Sequence, residues 1–96
     1  MADQELLDVR IMSPGKDVFS GRAASVSSTN SAGNFDILPE HAKFVTLVEE
    51  KPLVVRLAGG EKKEFNFHLA ILHVYANKVD IYINPAEAME EFNRMR

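Results

Sequence analysis

Apolar residues recur at every second position through most of this chain, and no other feature narrows its fold so far. Leu7, Val9 and Ile11 alternate with Asp8 and Arg10; Leu53, Val55 and Leu57 with Val54 and Arg56; Lys63, Phe65 and Phe67 with Glu64 and Asn66; Val79, Ile81 and Ile83 with Lys78, Asp80 and Tyr82. A period of two sends neighbouring side chains to opposite faces, so each run reads as a strand with one face buried. The β-branched and aromatic residues in these runs fit a pleated, packed surface. A fifth run, Phe44-Val45-Thr46-Leu47-Val48, is apolar almost throughout and reads as a strand buried on both faces. Turn residues separate the runs: Pro14-Gly15, Ala58-Gly59-Gly60-Glu61 and Ala76-Asn77. Short strands joined by tight turns, without helical crossovers, predict an all-β antiparallel sandwich or barrel and argue against a parallel α/β fold.

The period changes at Asn84. Asn84-Pro85-Ala86-Glu87 is a helix start, with Asn as the cap, Pro at the first helical position and an acid at the third. Ala88, Met89, Phe92 and Met95 then share one helical face. The expectation is a β-sandwich domain over residues 1–84 and a short C-terminal helix over residues 85–96. About three turns of helix are marginal alone in water, so this segment should need something to pack against. The length of 96 residues suits one domain. A domain of that size has a small core and little apolar surface to spare for a deep substrate cavity. No internal repeat is present, and Ser25 to Ser31 reads as a strand end running into a polar loop.

Composition removes several functions. The net charge is −3, so there is no broad basic field to displace counterions, and nucleic acid is not an expected partner. The acidic start Met1-Ala2-Asp3-Gln4-Glu5 lacks the marks of a secretory leader. The longest aliphatic runs, Leu69 to Leu72 and Leu53 to Val55, fall far short of the roughly 20 apolar residues of a spanning helix, so no direct membrane insertion is expected. The absence of cysteine removes disulfides, thiolate catalysis and Cys-held metals, and is consistent with a reducing compartment.

A search for catalytic chemistry finds little. His68 and His73 are five apart, so on one strand they would face opposite ways and could not share a metal; His41 lies in a loop. All three read more simply as surface or structural histidines. There is no Gly-x-Ser-x-Gly elbow, no Gly-x-x-x-x-Gly-Lys and no Gly-x-Gly-x-x-Gly. The pairs Glu49-Glu50 and Glu90-Glu91 diverge on either a strand or a helix and form no dyad. The expectation is therefore no catalytic residue, no metal site and no cofactor.

One segment reads as neither ordinary strand nor turn: Gly33-Asn34-Phe35-Asp36-Ile37-Leu38-Pro39-Glu40-His41-Ala42. In the blander reading, Phe35, Ile37 and Leu38 are core contacts and Pro39 sets a turn. The alternative is a docking surface, since a rigid Pro-containing loop beside apolar residues suits protein contact.

Gly-x-Phe-x-Ile-Leu-Pro-x-His-Ala resembles the signature of the epsilon subunit of F-type ATP synthases, called delta in mitochondria. The order of the other segments agrees. Leu7-Asp8-Val9 through Ser13-Pro14-Gly15 to Gly21 resembles that family's opening hairpin, Ala24 to Ser28 its next strand, and Asn77-Lys78-Val79-Asp80-Ile81 its closing strand. The likeness runs from about Leu6 to Pro85. It implies a two-sheet antiparallel β-sandwich and a non-catalytic rotor subunit that links the gamma subunit to the membrane c-ring. It also implies a peripheral place on the cytoplasmic face of the bacterial plasma membrane. Ser31, Ala32, Gly33 and Asn34 match the ring-facing loop. His41, Phe44 and Thr46 match the gamma-facing side, with Ser13 and His68 mapping there as well.

Departures from the family pattern are specific. Asp36 and Glu40 stand where the family has Gly, Lys43-Phe44 where it has Pro and an aliphatic residue, and His68-Leu69-Ala70 where it has Ser-Gly-Gly. Asn34 stands where an acid is common, which weakens charge pairing to the ring. Typical bacterial members continue into a two-helix hairpin that inhibits ATP hydrolysis and in some binds ATP. Here the sequence stops where that hairpin would begin, so neither inhibition nor ATP binding is expected of it. A free-standing β-sandwich module for a peptide or small ligand is the alternative: it keeps the fold but leaves Gly33 to Ala42 unexplained.

Overall fold

The computed structural model describes residues 5–84, and the helix expected over 85–96 lies outside the described residues. Eight strands follow in order: β1 (Leu7–Ser13), β2 (Lys16–Asn30), β3 (Gly33–Ile37), β4 (Phe44–Glu49), β5 (Leu53–Leu57), β6 (Lys62–Phe65), β7 (Leu69–Tyr75) and β8 (Lys78–Asn84). They form one hydrogen-bonded path, β4-β7-β8-β1-β2-β5-β6, with β3 joined to β2.

The long β2 folds this path into two layers. Its first part, Lys16 to Ala23, pairs with β1; its second part pairs with β5 through Ala23 to Ser27 and with β3 through Val26 to Asn30. A register shift between Ala23 and Ser25 falls where the strand passes from one layer to the other. An extra residue in a strand increases its bend and twist, which is what such a passage needs. The first layer is thus β4-β7-β8-β1 with the start of β2, and the second is β3, the end of β2, β5 and β6.

The inner faces of both layers supply the core. Leu7, Val9, Ile11, Val48, Ala70, Leu72, Val74, Val79 and Ile81 come from the first layer, and Ala23, Val26, Ile37, Leu53 and Val55 from the second; all are fully or almost fully buried. The period-two runs thus point inward as the sequence predicts. Aromatic pairs close the seams between the layers. Phe19 of β2 meets Phe65 of β6 with ring centroids 5.5 Å apart, and Phe35 of β3 meets Phe44 of β4 at 5.6 Å.

The turns fall where their residues require. Gly15 (φ +82°) and Gly60 (φ +98°) take left-handed backbone in the β1–β2 and β5–β6 hairpins, and Ala76 and Asn77 are both left-handed between β7 and β8. Three details differ from the sequence reading. The pair β1–β8 is parallel. Hydrophobic period carries no strand direction, and this contact joins the first and last strands in sequence. The polar stretch Ser25 to Asn30 is strand rather than loop, held by β3 on one side and β5 on the other. Finally, β4 is buried on one face only. It is the edge of the first layer, and its outward Val45 and Leu47 are 67% and 45% exposed.

Candidate functional site

The expected segment Gly33 to Ala42 divides in two. Its first half is β3, which buries Ile37 completely and packs Phe35 against the core. Its second half, 38–42, together with Lys43 carries the chain from the second layer to β4 in the first. Leu38 is not a core contact: it is 54% exposed at the start of this passage. His41 is half-buried, with its ring 5.3 Å from that of Phe44 and its Nδ1 2.8 Å from the Ala42 carbonyl oxygen.

Alternation along β4 separates the residues there. Phe44 and Thr46 lie on the same face as buried Val48, and the Thr46 hydroxyl accepts a hydrogen bond from Asn30 Nδ2 at 2.8 Å. They support the strand from beneath. The free face belongs to Val45 and Leu47, not to the interior that their apolar run predicts.

Strand register extends that face across four strands of the first layer. Leu47 of β4 lies opposite Ile71 of β7, Ile71 opposite Tyr82 of β8, and Tyr82 opposite Met12 of β1. Ile71 is 42% and Tyr82 48% exposed. One row of large apolar side chains therefore crosses the outer surface from the β4 edge to β1. The next row is mostly polar: Val45, His73, Asp80 and Arg10 are successive partners. The Tyr75 hydroxyl donates to Asp80 Oδ2 at 2.9 Å, and this bond together with the carboxylate charge raises the phenol's pKa. His73 packs against Tyr75 with ring centroids 4.5 Å apart. An apolar row with a hydrogen-bonded polar border has the anatomy of a protein-docking face. One part of it has a sequence signal: a strand apolar almost throughout, as Phe44 to Val48 is, either has both faces covered within its own fold or keeps one for a partner.

The remaining expected residues lie elsewhere. Ser13 ends β1 beside the Pro14-Gly15 turn, where Met12, Ser13, Pro14, Tyr82 and Ile83 line a shallow apolar recess continuous with the row. Exposed His68 precedes β7, with its Nδ1 3.6 Å from the Glu50 carboxylate and its carbonyl accepting from the Glu50 amide at 3.0 Å. Parallel pairing sets Ser13 and the start of β7 at one end of the first layer, and His41 and Phe44 at the other. Ser31, Ala32, Gly33 and Asn34 form the tip of the β2–β3 hairpin, all exposed, with the Ala32 amide donating to Asn30 Oδ1 at 2.9 Å. Thr29, Asn30 and Ser31 line a recess together with Leu47, Glu49 and Lys51, so the tip adjoins the β4 end of the apolar row: a broad apolar face bordered by a narrow polar tip. His41, His68 and His73 are not gathered, and among the described residues no group of three or more His, Asp or Glu converges as metal ligands.

Comparison with known proteins matches residues 6–89 to the family described as ATP synthase, Delta/Epsilon chain, beta-sandwich domain. An ATP synthase epsilon chain of Xanthomonas euvesicatoria pv. vesicatoria (strain 85-10) is 31% identical over 83 residues, 86% of this chain and 59% of that protein. One from Clostridium botulinum (strain Eklund 17B / Type B) is 29% identical over 96 residues, 100% of this chain and 70% of its own. The chain thus spans little more than half the length of the Xanthomonas relative. In the cryo-EM structure of Euglena gracilis mitochondrial ATP synthase, OSCP/F1/c-ring in rotational state 1, a chain superimposes with a TM-score of 0.76 at 19% identity, covering 81% of this chain and 50% of that one. A chain from the central stalk and c-ring of Tetrahymena thermophila mitochondrial ATP synthase gives 0.68 at 16% identity, covering 86% and 66%. At such identities these two superpositions speak to fold, and they agree with the two-layer arrangement.

Proposed function

Because the chain belongs to the delta/epsilon β-sandwich family of ATP synthases, we propose that it is a non-catalytic rotor subunit of an F-type ATP synthase, joining the gamma subunit to the c-ring. The observation that carries the proposal is the apolar row Leu47, Ile71, Tyr82 and Met12 across the first layer. A subunit that must turn with its neighbour needs a broad dry contact, and this row offers one on a stiff, close-packed body. In this reading gamma covers the row, Val45 and the Ser13 recess. His41 and His68 stand at its two ends, and Phe44 and Thr46 hold β4 in place below. The tip Ser31 to Asn34 meets the polar loops of the ring. It is uncharged, so its contact rests on hydrogen bonds from backbone and Asn34 rather than on ion pairs. The residues do no bond chemistry; they transmit torque. The subunit sits on the cytoplasmic face of the bacterial plasma membrane through its partners.

The test is co-purification of the full chain with its cognate gamma subunit and c-ring, followed by titration against gamma. The unaltered chain should form a stable complex. Tyr82→Ala should weaken gamma binding by about 30-fold, the scale of losing an aromatic anchor worth about 2 kcal/mol, with its circular dichroism unchanged. A chain that stays monomeric with both partners present overturns the reading and leaves a free-standing binding module in its place.

A further inference from the structure

The passage 38–43 is short of internal support. Its ordering contact comes from a residue far along the chain. The His41 amide donates to the Leu38 carbonyl at 3.1 Å, which closes a four-residue turn with Pro39 second and Glu40 third. Glu40 has φ +67°. Pro at the second position and a left-handed third residue define a type II turn, in which the third place belongs by preference to glycine. Here a residue with a full side chain is held there. The Glu40 amide, which points out of the turn, donates to Asn77 Oδ1 at 2.6 Å across 37 residues of sequence.

Asn77 is suited to that role because its own position is fixed twice. It is the second residue of the β7–β8 turn, with φ +62°, and its carbonyl accepts the Asp8 amide at 2.8 Å. The β7–β8 turn, the start of β1 and the inter-layer passage therefore meet at one residue. Asn is among the few side chains that tolerate left-handed backbone and also carry an acceptor short enough to serve a neighbouring loop.

We propose that Asn77 is a positioning residue for the docking face: through its side-chain oxygen it clips the Leu38–His41 turn and so presents Leu38 and His41 to the partner. The partner clause rests on the rotor reading above; the clip does not. Without the clip the turn keeps its sequence but loses the bond that holds Glu40 left-handed, and the loop between β3 and β4 samples other shapes. Partner binding then carries the cost of ordering it.

Asn77→Gly isolates the side chain, since glycine keeps the left-handed turn but removes Oδ1. Asn77→Asp keeps both. Two readouts are needed. In the unaltered chain, the Glu40 amide should exchange with solvent at least 10-fold more slowly than in Asn77→Gly. Gamma affinity should fall about 5- to 20-fold in Asn77→Gly and stay within about 2-fold in Asn77→Asp. In a Glu40→Gly background, where the turn holds φ positive unaided, Asn77→Gly should cost less than about 2-fold; general damage to the β7–β8 turn would show no such rescue. A fast-exchanging Glu40 amide in the unaltered chain overturns the clip, and that measurement does not depend on any variant folding. Unchanged gamma affinity in Asn77→Gly with Glu40 deprotected overturns the presenting role. Failure of the unaltered chain to bind gamma overturns the rotor reading and the presenting role together, while amide exchange still decides the clip.

Discussion

Replacing Glu40 by glycine should make the protein more stable although it removes a side chain. Glu40 is exposed, so little packing is lost. Its backbone sits at φ +67°, where a residue with a Cβ carries roughly 1–2 kcal/mol of strain that glycine does not. Glycine returns roughly 0.5–1 kcal/mol of this through its freer unfolded chain. Near the middle of both ranges the net gain is about 0.5–1 kcal/mol. For a domain near 100 residues, that raises Tm by roughly 2–8 °C at 4–8 °C per kcal/mol. A second effect must be separated from this one. Glu40 lies beside Glu5, and the hydrogen bond and like charge between them raise the Glu5 pKa. Glu40→Ala removes that carboxylate but keeps the Cβ, so it isolates the charge. The assay is thermal unfolding of the three proteins followed by circular dichroism at pH 7. The order expected is Glu40→Gly above Glu40→Ala, with Glu40→Ala at or slightly above the unaltered chain. A Glu40→Gly protein that melts no higher than Glu40→Ala would refute the claim that strain is stored at this turn.

Two further outcomes follow from the same structure. Leu53→Ala empties a fully buried site of the second layer and should cost about 2–5 kcal/mol in urea unfolding, in contrast to Tyr82→Ala on the open face. The Glu5–Glu40 pair should leave a sign in the pH dependence. With the folded pKa of Glu5 above its unfolded value of 4.5, the folded state binds more protons between the two. The pair's contribution therefore falls as pH rises through that window, and is most favourable below it. Comparing urea midpoints across this range for the unaltered chain and Glu40→Gln checks this; a slope unchanged by the substitution rejects the coupling.

The half-buried strands were legible because their signal is local. Val9 and Ile11, or Val79 and Ile81, need only the pleat to know which way to point. The hairpin turns were legible for the same reason, since Gly15, Gly60 and Asn77 declare their backbone by residue type. What sequence reading missed is non-local. A Phe-Val-Thr-Leu-Val strand has the same composition whether a second layer of its own fold or a partner covers its outer face, so composition alone points Val45 and Leu47 into the core. The parallel pairing of β1 with β8 and the bend in β2 depend on how distant segments close. Of the candidate site, Ser31 to Asn34 emerged as a single exposed tip. His41 and His68 lie near opposite ends of the first layer. The composition of β4 hints at an open apolar face, but the row itself is not legible, because its members Met12, Leu47, Ile71 and Tyr82 are united only by cross-strand register. The Asn77–Glu40 bond was hidden likewise: nothing near either residue names the other.

The continuity of β2 has a mechanical consequence. In a sandwich whose layers touch only through side chains, a sideways force on one layer is resisted by packing alone, and packing yields by sliding. Here one backbone runs from the last strand of the first layer, beside β1, into the second layer and ends at the Ser31–Asn34 tip. A push on the apolar face reaches that tip along covalent bonds and the hydrogen bonds flanking them. Slip between the layers would require β2 to leave its partners on both sides of its bend, so the two surfaces move as one rigid lever rather than as two plates.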